Sequence, residues 1–239
     1  MKDVKKKIYD KAYGCNEFSY KPPSGVLGFF YKKLMRFEVN RYHVSYNLLP
    51  SDKEKLLDVG CGDGDFIFMA KDKFKECFGV DVSPLRIKRA RKRLKERPDK
   101  CDLHFSECDV DEGLPFSDSF FDVVSCIAVL EHVLNPPNIV EEIHRVLKLG
   151  GIFIVQVPNF AWIPCRIQLL FGKLPVTGGV YLGADWEHLH NFTKTTLCQL
   201  LVKKGFKIKD ISCSGIFAKC RKCWLSTLGG DLVVKGIKT

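Results

Sequence analysis

No apolar run in the sequence approaches the roughly 18–20 residues of a membrane-spanning helix, so no transmembrane segment is expected. The N-terminal stretch Met1–Lys7 leads into no apolar core of a signal peptide, which makes a cytoplasmic location the expectation. Internal repeats and low-complexity segments are also lacking. With 46% hydrophobic and 28% charged residues over 239 positions, the chain suits one α/β domain with additions.

A paired cysteine pattern is missing too, although the chain has 11 cysteines. An odd number cannot all pair, and several fall in predicted strands, where a free thiol acts as a small apolar group. This usage is typical of a reducing compartment. Cys220 and Cys223 form a CxxC without a second pair at zinc-finger spacing, so we do not favour a metal or redox role for them.

The net charge of +10 is unevenly spread. Between Arg86 and Lys100, nine basic residues stand against two acids. Such a surface suits nucleic acid, anionic lipid or an acidic substrate. Because Ile87, Ala90 and Leu94 recur at helical spacing in this cluster, we favour a solvated helix face, and a nucleic-acid partner is the less favoured alternative.

Short apolar strands alternate with helical segments from about residue 55 onward. Seven strands are predicted, at residues 55–59, 76–82, 103–108, 121–129, 151–157, 207–213 and 231–237. The helix Pro136–Lys148 illustrates the segments between them, since it opens with prolines and stops at two glycines. This order predicts a doubly wound, Rossmann-like α/β fold on a mostly parallel sheet.

Two regions depart from the alternation. We expect residues 1–50 to form an N-terminal helical cap or substrate region, and residues 51–239 the main domain, with an insertion at 159–191 after the fifth strand. Ligands of open α/β sheets bind beyond the carboxyl ends of the strands, so the insertion should cover the substrate. Val26–Phe37 mixes apolar and basic residues as interfacial helices do, which makes a peripheral membrane contact an alternative to a cap.

The segment Asp58–Gly64 reads Asp-Val-Gly-Cys-Gly-Asp-Gly and lies between a strand and a helix. Glycines allow a tight turn and a close approach to a ligand. The spacing differs from the GxGxxG of dinucleotide sites, which disfavours a nicotinamide-dependent oxidoreductase. Because Asp63 inside the loop would repel a pyrophosphate, a cofactor with a cationic sulfonium and an ammonium group suits the loop better.

Two further acids follow the next two strands. Asp81 ends the second strand, where a carboxylate can accept both hydroxyls of a ribose. Asp109 follows the third strand and could accept from an adenine amino group, with Val110 against the ring. Each acid alone could equally cap a helix or turn, but three acids at three successive strand ends favour a nucleoside-containing cofactor.

Together these residues closely resemble the class I S-adenosylmethionine (SAM)-dependent methyltransferases, especially the type-11 group that includes ubiquinone- and menaquinone-pathway enzymes. The resembling segments are Leu56–Gly64, Gly79–Ser83, Leu114–Phe116, Phe121–Val124, Leu130–Val133 and Leu149–Gly151. The resemblance spans residues 53–158 and continues more loosely from His188 to Phe206. It implies SAM as the cofactor and a seven-stranded sheet with an antiparallel last strand.

The resemblance also implies binding roles for individual residues. The methionine part of SAM would lie on Asp58, Gly60, Cys61 and Gly62, the ribose at Asp81 and Val82, the adenine at Asp109 and Val110, and the sulfonium near Cys126, Ile127 and Ala128.

One motif departs from the ubiquinone-type O-methyltransferases. Those enzymes resemble Glu-x-x-Glu-His here and can hold a divalent metal, whereas this chain has Ala128 in place of the first glutamate. Glu131 and His132 alone make a poor Mg²⁺ site, which normally takes oxygen ligands in octahedral geometry. We therefore expect no metal requirement.

The candidate catalytic residues are histidines. Methyl transfer mainly requires that two reactants be positioned, but a phenol or alcohol must also lose a proton to a base. His132 follows the fourth strand, and His188 and His190 precede the last helix. We expect His132 or His188 to act as a base, and the alternative is a hydrogen-bonded structural histidine.

The sequence thus predicts a SAM-dependent methyltransferase acting on a small or lipid-like molecule, with the attacking atom undetermined. Methylation of RNA or protein is an alternative motivated by the charge of +10, although no RNA-binding module is recognisable. A catalytically silent partner subunit is a further alternative, and the intact glycine loop argues against it.

Overall fold

The computed structural model describes residues 38–96, 101–175, 188–216 and 224–239. Its strands are β1 (Glu38–Val39), β2 (Lys53–Val59), β3 (Phe74–Asp81), β4 (Asp102–Glu107), β5 (Phe121–Ile127), β6 (Leu147–Pro158), β7 (Phe206–Ile216) and β8 (Asp231–Lys238). Its α-helices are α1 (Arg41–Leu48), α2 (Asp65–Ala70), α3 (Pro84–Glu96), α4 (Pro136–Val146), α5 (Ile163–Leu170), α6 (Lys194–Lys203) and α7 (Leu225–Leu228).

All of these strands belong to one sheet with the order β1-β7-β8-β6-β5-β2-β3-β4. The strands from β2 to β6 pair in parallel, while β8 lies antiparallel between β6 and β7. This confirms the expected mostly parallel sheet with an antiparallel last strand. The two-residue β1 adds an eighth, antiparallel strand beside β7. The strand order reverses between β2 and β5, which creates the crevice in which such sheets bind ligands.

Apolar side chains cover both faces of the sheet. On one face, α4 and α6 bury Ile143 and Leu201 against the strands. On the other face, α1, α2 and α3 bury Val44, Phe66 and Ile87. Each large side chain that becomes fully buried contributes about 1.5–3 kcal/mol, so both helical layers are held mainly by burial. The doubly wound architecture predicted from the sequence is therefore confirmed.

The boundary between α4 and β6 differs from the sequence expectation. The helix ends at Val146 rather than Lys148, because the next residue, Leu147, already pairs with a neighbouring strand. Leu147 pairs with Phe121, and the Phe120 amide donates to the Val146 carbonyl oxygen at 2.8 Å. The glycine pair predicted as a helix stop lies inside β6.

The region expected to form an N-terminal cap is described only from residue 38. That part packs on the sheet: Val44 and Ser45 are buried, and Lys235 Nζ donates to the Leu48 carbonyl oxygen at 2.8 Å. The segment Val26–Phe37, the CxxC of Cys220 and Cys223, and residues 176–187 of the insertion lie outside the described residues. In the described ranges, no helix combines the length and apolarity needed to cross a membrane.

Candidate functional site

A pocket lies at the carboxyl ends of β2 to β5, where the strand order reverses. Six of the residues singled out from the sequence as binding or catalytic candidates line it: Gly60, Asp81, Val82, Asp109, Val110 and His132. Ala128 lines it as well. The structure therefore brings together residues from four separate strand ends, at the edge where open α/β sheets bind ligands.

The backbone of the glycine loop lies close to the end of β3 and to the turn after β5. Gly60 and Gly62 have positive φ angles of 72° and 54°, and the Gly60 and Cys61 amides both donate to the Val80 carbonyl oxygen, at 2.8 and 2.9 Å. A Cβ on Gly60 would lie 2.2 Å from Val129 Cγ2. Only glycine satisfies both the left-handed backbone and this approach.

Asp81 joins three strand ends through its own atoms. Its carboxylate accepts from the Gly62 and Ser83 amides, each at 2.9 Å, and its main-chain oxygen accepts from the Cys108 amide at 2.9 Å. Burial raises the pKa of Asp81, and the Ser83 amide, the Arg86 charge and the Gly62 amide act in the opposite direction. Because a carboxylate offers about four acceptor positions, two amides leave room for hydroxyl donors from a ligand.

Asp58 lies behind the loop and does not line the pocket. It is 3% exposed, and Oδ1 accepts from the Ser125 hydroxyl at 2.7 Å. Burial raises the pKa of Asp58 from 3.8 to about 7; the Ser125 hydrogen bond and the Arg86 charge lower it, and the Asp81 charge raises it further. Its negative charge is therefore only partly formed near neutrality.

Three other candidates also lie behind the pocket. Cys61, Cys126 and Ile127 are buried in the core and are absent from the pocket lining. They pack beneath the residues that do line it. The sequence thus indicates which segments surround the pocket, but it does not indicate which side chain of each segment faces the crevice.

Helix α3 supplies a charge that the sequence reasoning had not assigned to the site. Arg86 lines the pocket, and its Nε lies 3.5 Å from Asp63 Oδ1. Arg93 donates from Nη1 to the Asp63 carbonyl oxygen at 2.7 Å and to Asp65 Oδ1 at 2.6 Å. Part of the basic cluster therefore braces the glycine loop. The position of Arg86 in the first turn after Asp81 is the signal that could have indicated it.

Asp109 has the capping role that the sequence left as one alternative, and it also lies in the pocket lining. Its side chain accepts from the Asp111 amide at 3.2 Å and so caps the short 3-10 helix Val110–Glu112. It also lines the pocket, next to Val110. Cys108, Val129 and Val133 complete this part of the lining and had not been named, because no local pattern distinguishes them from core residues.

The candidate catalytic histidines meet beside the pocket. The ring centroids of His132 and His188 lie 4.7 Å apart, and His132 Nε2 lies 4.0 Å from Glu131 Oε1. The Leu189 and His190 amides donate to the Glu131 carbonyl oxygen at 2.8 and 3.1 Å. These backbone bonds fix the last part of the insertion against the turn after β5.

The groups around the crevice are chemically suited to one kind of ligand. In the pocket lining, the Asp81 carboxylate provides negative charge for a cationic end and acceptors for hydroxyls. Val82 and Val110 provide apolar contact for a planar ring. The donor and acceptor set therefore fits a cofactor that carries a cation, a ribose and a base.

Comparisons with known proteins agree with this geometry. A family model described as a methyltransferase domain matches residues 57–155. A sterol 4-C-methyltransferase of Caenorhabditis elegans is 30% identical over 151 residues, covering 62% of this chain and 43% of the relative. A demethylmenaquinone methyltransferase of Leptospira interrogans is 32% identical over 167 residues, covering 64% of this chain and 67% of the relative.

Solved structures share the fold. A SAM-dependent methyltransferase from Mesorhizobium loti superposes with a TM-score of 0.62 at 19% identity, covering 82% of this chain and 96% of that one. Among curated relatives the coverage is lower, since the chain spans about half the length of several that it matches, for example 43%, 52% and 48%.

Replacing Gly60 with alanine tests the close approach in the loop. We expect Gly60→Ala to lower the free energy of unfolding by about 3 kcal/mol, because the new Cβ adds a clash to an unfavourable left-handed backbone. Gly150→Ala is the matched control, since Gly150 has a φ of 73° but nothing within 4 Å of a built Cβ. It should cost only about 1 kcal/mol. Equal losses in urea denaturation would contradict the argument.

The raised pKa of Asp58 predicts a pH dependence of stability. Between about pH 4 and pH 7 the folded chain holds a proton on Asp58 that the unfolded chain releases, so stability should fall as the pH rises. Relative to Asp58→Asn, we expect the free energy of unfolding of the wild type to fall by about 4 kcal/mol across this window.

Urea denaturation at successive pH values measures this difference. Ser125→Ala is the matched variant, because loss of the hydroxyl donor should extend the window to higher pH. Parallel stability curves for the wild type and Asp58→Asn would show that Asp58 is ionised throughout.

Proposed function

Because the chain belongs to the class I SAM-dependent methyltransferases, we propose that it transfers the methyl group of SAM to a small or lipid-like acceptor. One observation carries the proposal: Gly60, Asp81 and Asp109 line a single pocket that also contains His132. This arrangement gives a loop for the methionine part, acceptors for the ribose and the adenine, and a titratable group near the transferred methyl.

The expected roles of the chain's own residues follow from their positions. Asp81 would accept the ribose hydroxyls with the lone pairs that its two amide bonds leave over. Asp109 and Val110 would hold the adenine, and Gly60 would allow the backbone to approach the methionine part. Asp58, from behind the loop, would add negative charge rather than direct contact.

A lipid-like acceptor is supported by exposed apolar side chains that follow the carboxyl end of β6. Leu170, the last residue of α5, and Phe171, its C-cap, are 80% and 74% exposed. The two relatives described above are named for a sterol and for demethylmenaquinone, both apolar molecules. We propose that residues 1–50 and 159–191 form the acceptor side of the site, and residues 51–239 the methyltransferase domain.

SAM supplies an electrophilic methyl group on a positively charged sulfur, so the protein's main task is to align the acceptor and exclude water. For an oxygen acceptor, His132 or His188 would take the proton that the acceptor loses as it is methylated. This role is supported by the position of His132 in the pocket lining and by the 4.7 Å between the ring centroids of His132 and His188.

Calorimetric titration with SAM and S-adenosylhomocysteine, with NADH as a negative control, tests the cofactor assignment. We expect both sulfur ligands to bind and NADH not to bind. Asp81→Ala should weaken SAM binding by about 1–3 kcal/mol, because hydrogen bonds to a charged acceptor are lost. Asp81→Asn should lose less, since it keeps one acceptor oxygen for the loop. Failure of the wild type to bind SAM would instead favour a catalytically silent subunit.

Replacing the histidines tests their part in the reaction. If His132 or His188 is the base, its replacement by alanine should lower kcat by about 10²–10⁴-fold at saturating acceptor, while SAM affinity changes little. His104→Ala serves as the control, because His104 lies within β4 and does not line the pocket. An unchanged kcat in His132→Ala or His188→Ala would remove that residue from the chemistry.

A further inference from the structure

The cluster beside the pocket contains three side chains of metal-binding type. One ligand atom each from Glu131, His132 and His188 lies within 4.8 Å of the others. The Glu131 side chain is 2% exposed and that of His132 is 16% exposed. The sequence expectation of no metal was based on Glu131 and His132 alone, and the structure adds His188 from a distant segment.

The approach of His188 is built into the backbone. Leu189 and His190 both donate their amides to the carbonyl oxygen of Glu131, which is itself one of the three residues. Nearby, the Phe160 amide donates to the Phe192 carbonyl oxygen at 2.8 Å and ties the segment to the end of β6. His188 is therefore held next to Glu131 and His132 by main-chain bonds on both sides of the crevice.

We propose that Glu131, His132 and His188 bind one divalent transition-metal ion. Two imidazoles and one carboxylate are a ligand set for Zn²⁺, Fe²⁺ or Co²⁺, whereas Mg²⁺ and Ca²⁺ prefer oxygen ligands only. Metal–ligand bonds of about 2.0–2.2 Å require the ligand atoms, now within 4.8 Å of one another, to close to roughly 3 Å. A dication would also compensate the charge of a buried carboxylate.

Three protein ligands leave coordination positions open, as in catalytic rather than structural metal sites. His132 lines the pocket, so an ion that it binds would lie at the edge of the pocket. A metal there would supply Lewis acidity, which lowers the pKa of an oxygen that it binds, and His132 and His188 would then act as its ligands rather than as the base. Resting on the proposed methyl transfer, this favours an acceptor with a hydroxyl or enol oxygen.

Metal titration of the full chain tests the site without any methyl acceptor. The protein would carry Cys220→Ser and Cys223→Ser, so that the CxxC cannot bind the ion, and would be stripped with EDTA before titration with Co²⁺ and Zn²⁺. We expect one ion per chain, with a Co²⁺ visible spectrum of nitrogen and oxygen ligands. His188→Gln and Glu131→Gln should each weaken the affinity by at least about tenfold.

His190→Ala is the matched control, because His190 lies on the same segment and gives the same backbone bond to Glu131 but is outside the cluster. Its affinity for Co²⁺ should equal that of the parent. Absence of binding in the parent, equal losses in His190→Ala and His188→Gln, or preferential binding of Mg²⁺ would each overturn the proposal.

Titration of the same variants with SAM separates this inference from the proposed function. SAM binding without Co²⁺ binding would refute the metal site and leave the methyltransferase proposal intact. Co²⁺ binding without SAM binding would support the metal site and refute the methyltransferase proposal. Retained SAM binding in His188→Gln would also show that the variant is folded.

Discussion

The site depends on the carboxylate of Asp81 more than on any other single group. Its two oxygens hold the Gly62 and Ser83 amides, so one side chain fixes the glycine loop after β2 and the turn after β3. Its main-chain oxygen holds the Cys108 amide, which begins the turn after β4. Three crossover connections therefore meet at one residue, and a ligand that contacts Asp81 contacts a point at which the sheet edge is already ordered.

Several carboxylates lie at that edge of the sheet, and arginines of α3 compensate their negative charge. Arg86 lowers the pKa values of both Asp58 and Asp81, and Arg93 holds Asp63 and Asp65 from the next turns of the helix. Since these arginines point towards the loop, the concentration of basic residues in α3 does not by itself indicate a nucleic-acid surface. Part of this positive charge compensates the carboxylates at the edge of the sheet, which reduces the repulsion between them.

How much could be read from the sequence depended on whether a feature is local. The glycine loop, the acids after β3 and β4 and the alternation of strands and helices follow from residues adjacent in the chain, and the structure has them at the predicted positions. The roles of Arg86 and His188 depend on distances between segments that only the folded chain brings together. Cys126 and Ile127 show a related limit, because a strand period of two cannot tell which face of a doubly covered sheet points to the crevice.

The two ends of the insertion after β6 lie close together at the edge of the sheet. The insertion starts at Asn159, whose amide side chain donates to the Ser226 and Gly229 carbonyl oxygens, and it returns to pair with Asn159 at Phe192. Both ends are thus fixed at one point of the sheet edge, so amino-acid substitutions between them need not alter the position of Asp81. Among the described residues, backbone bonds to Glu131 also connect the returning segment to the turn after β5 and place His188 beside His132. Under the proposed function, the segment expected to contact the acceptor therefore also positions His188, through its backbone bonds to Glu131.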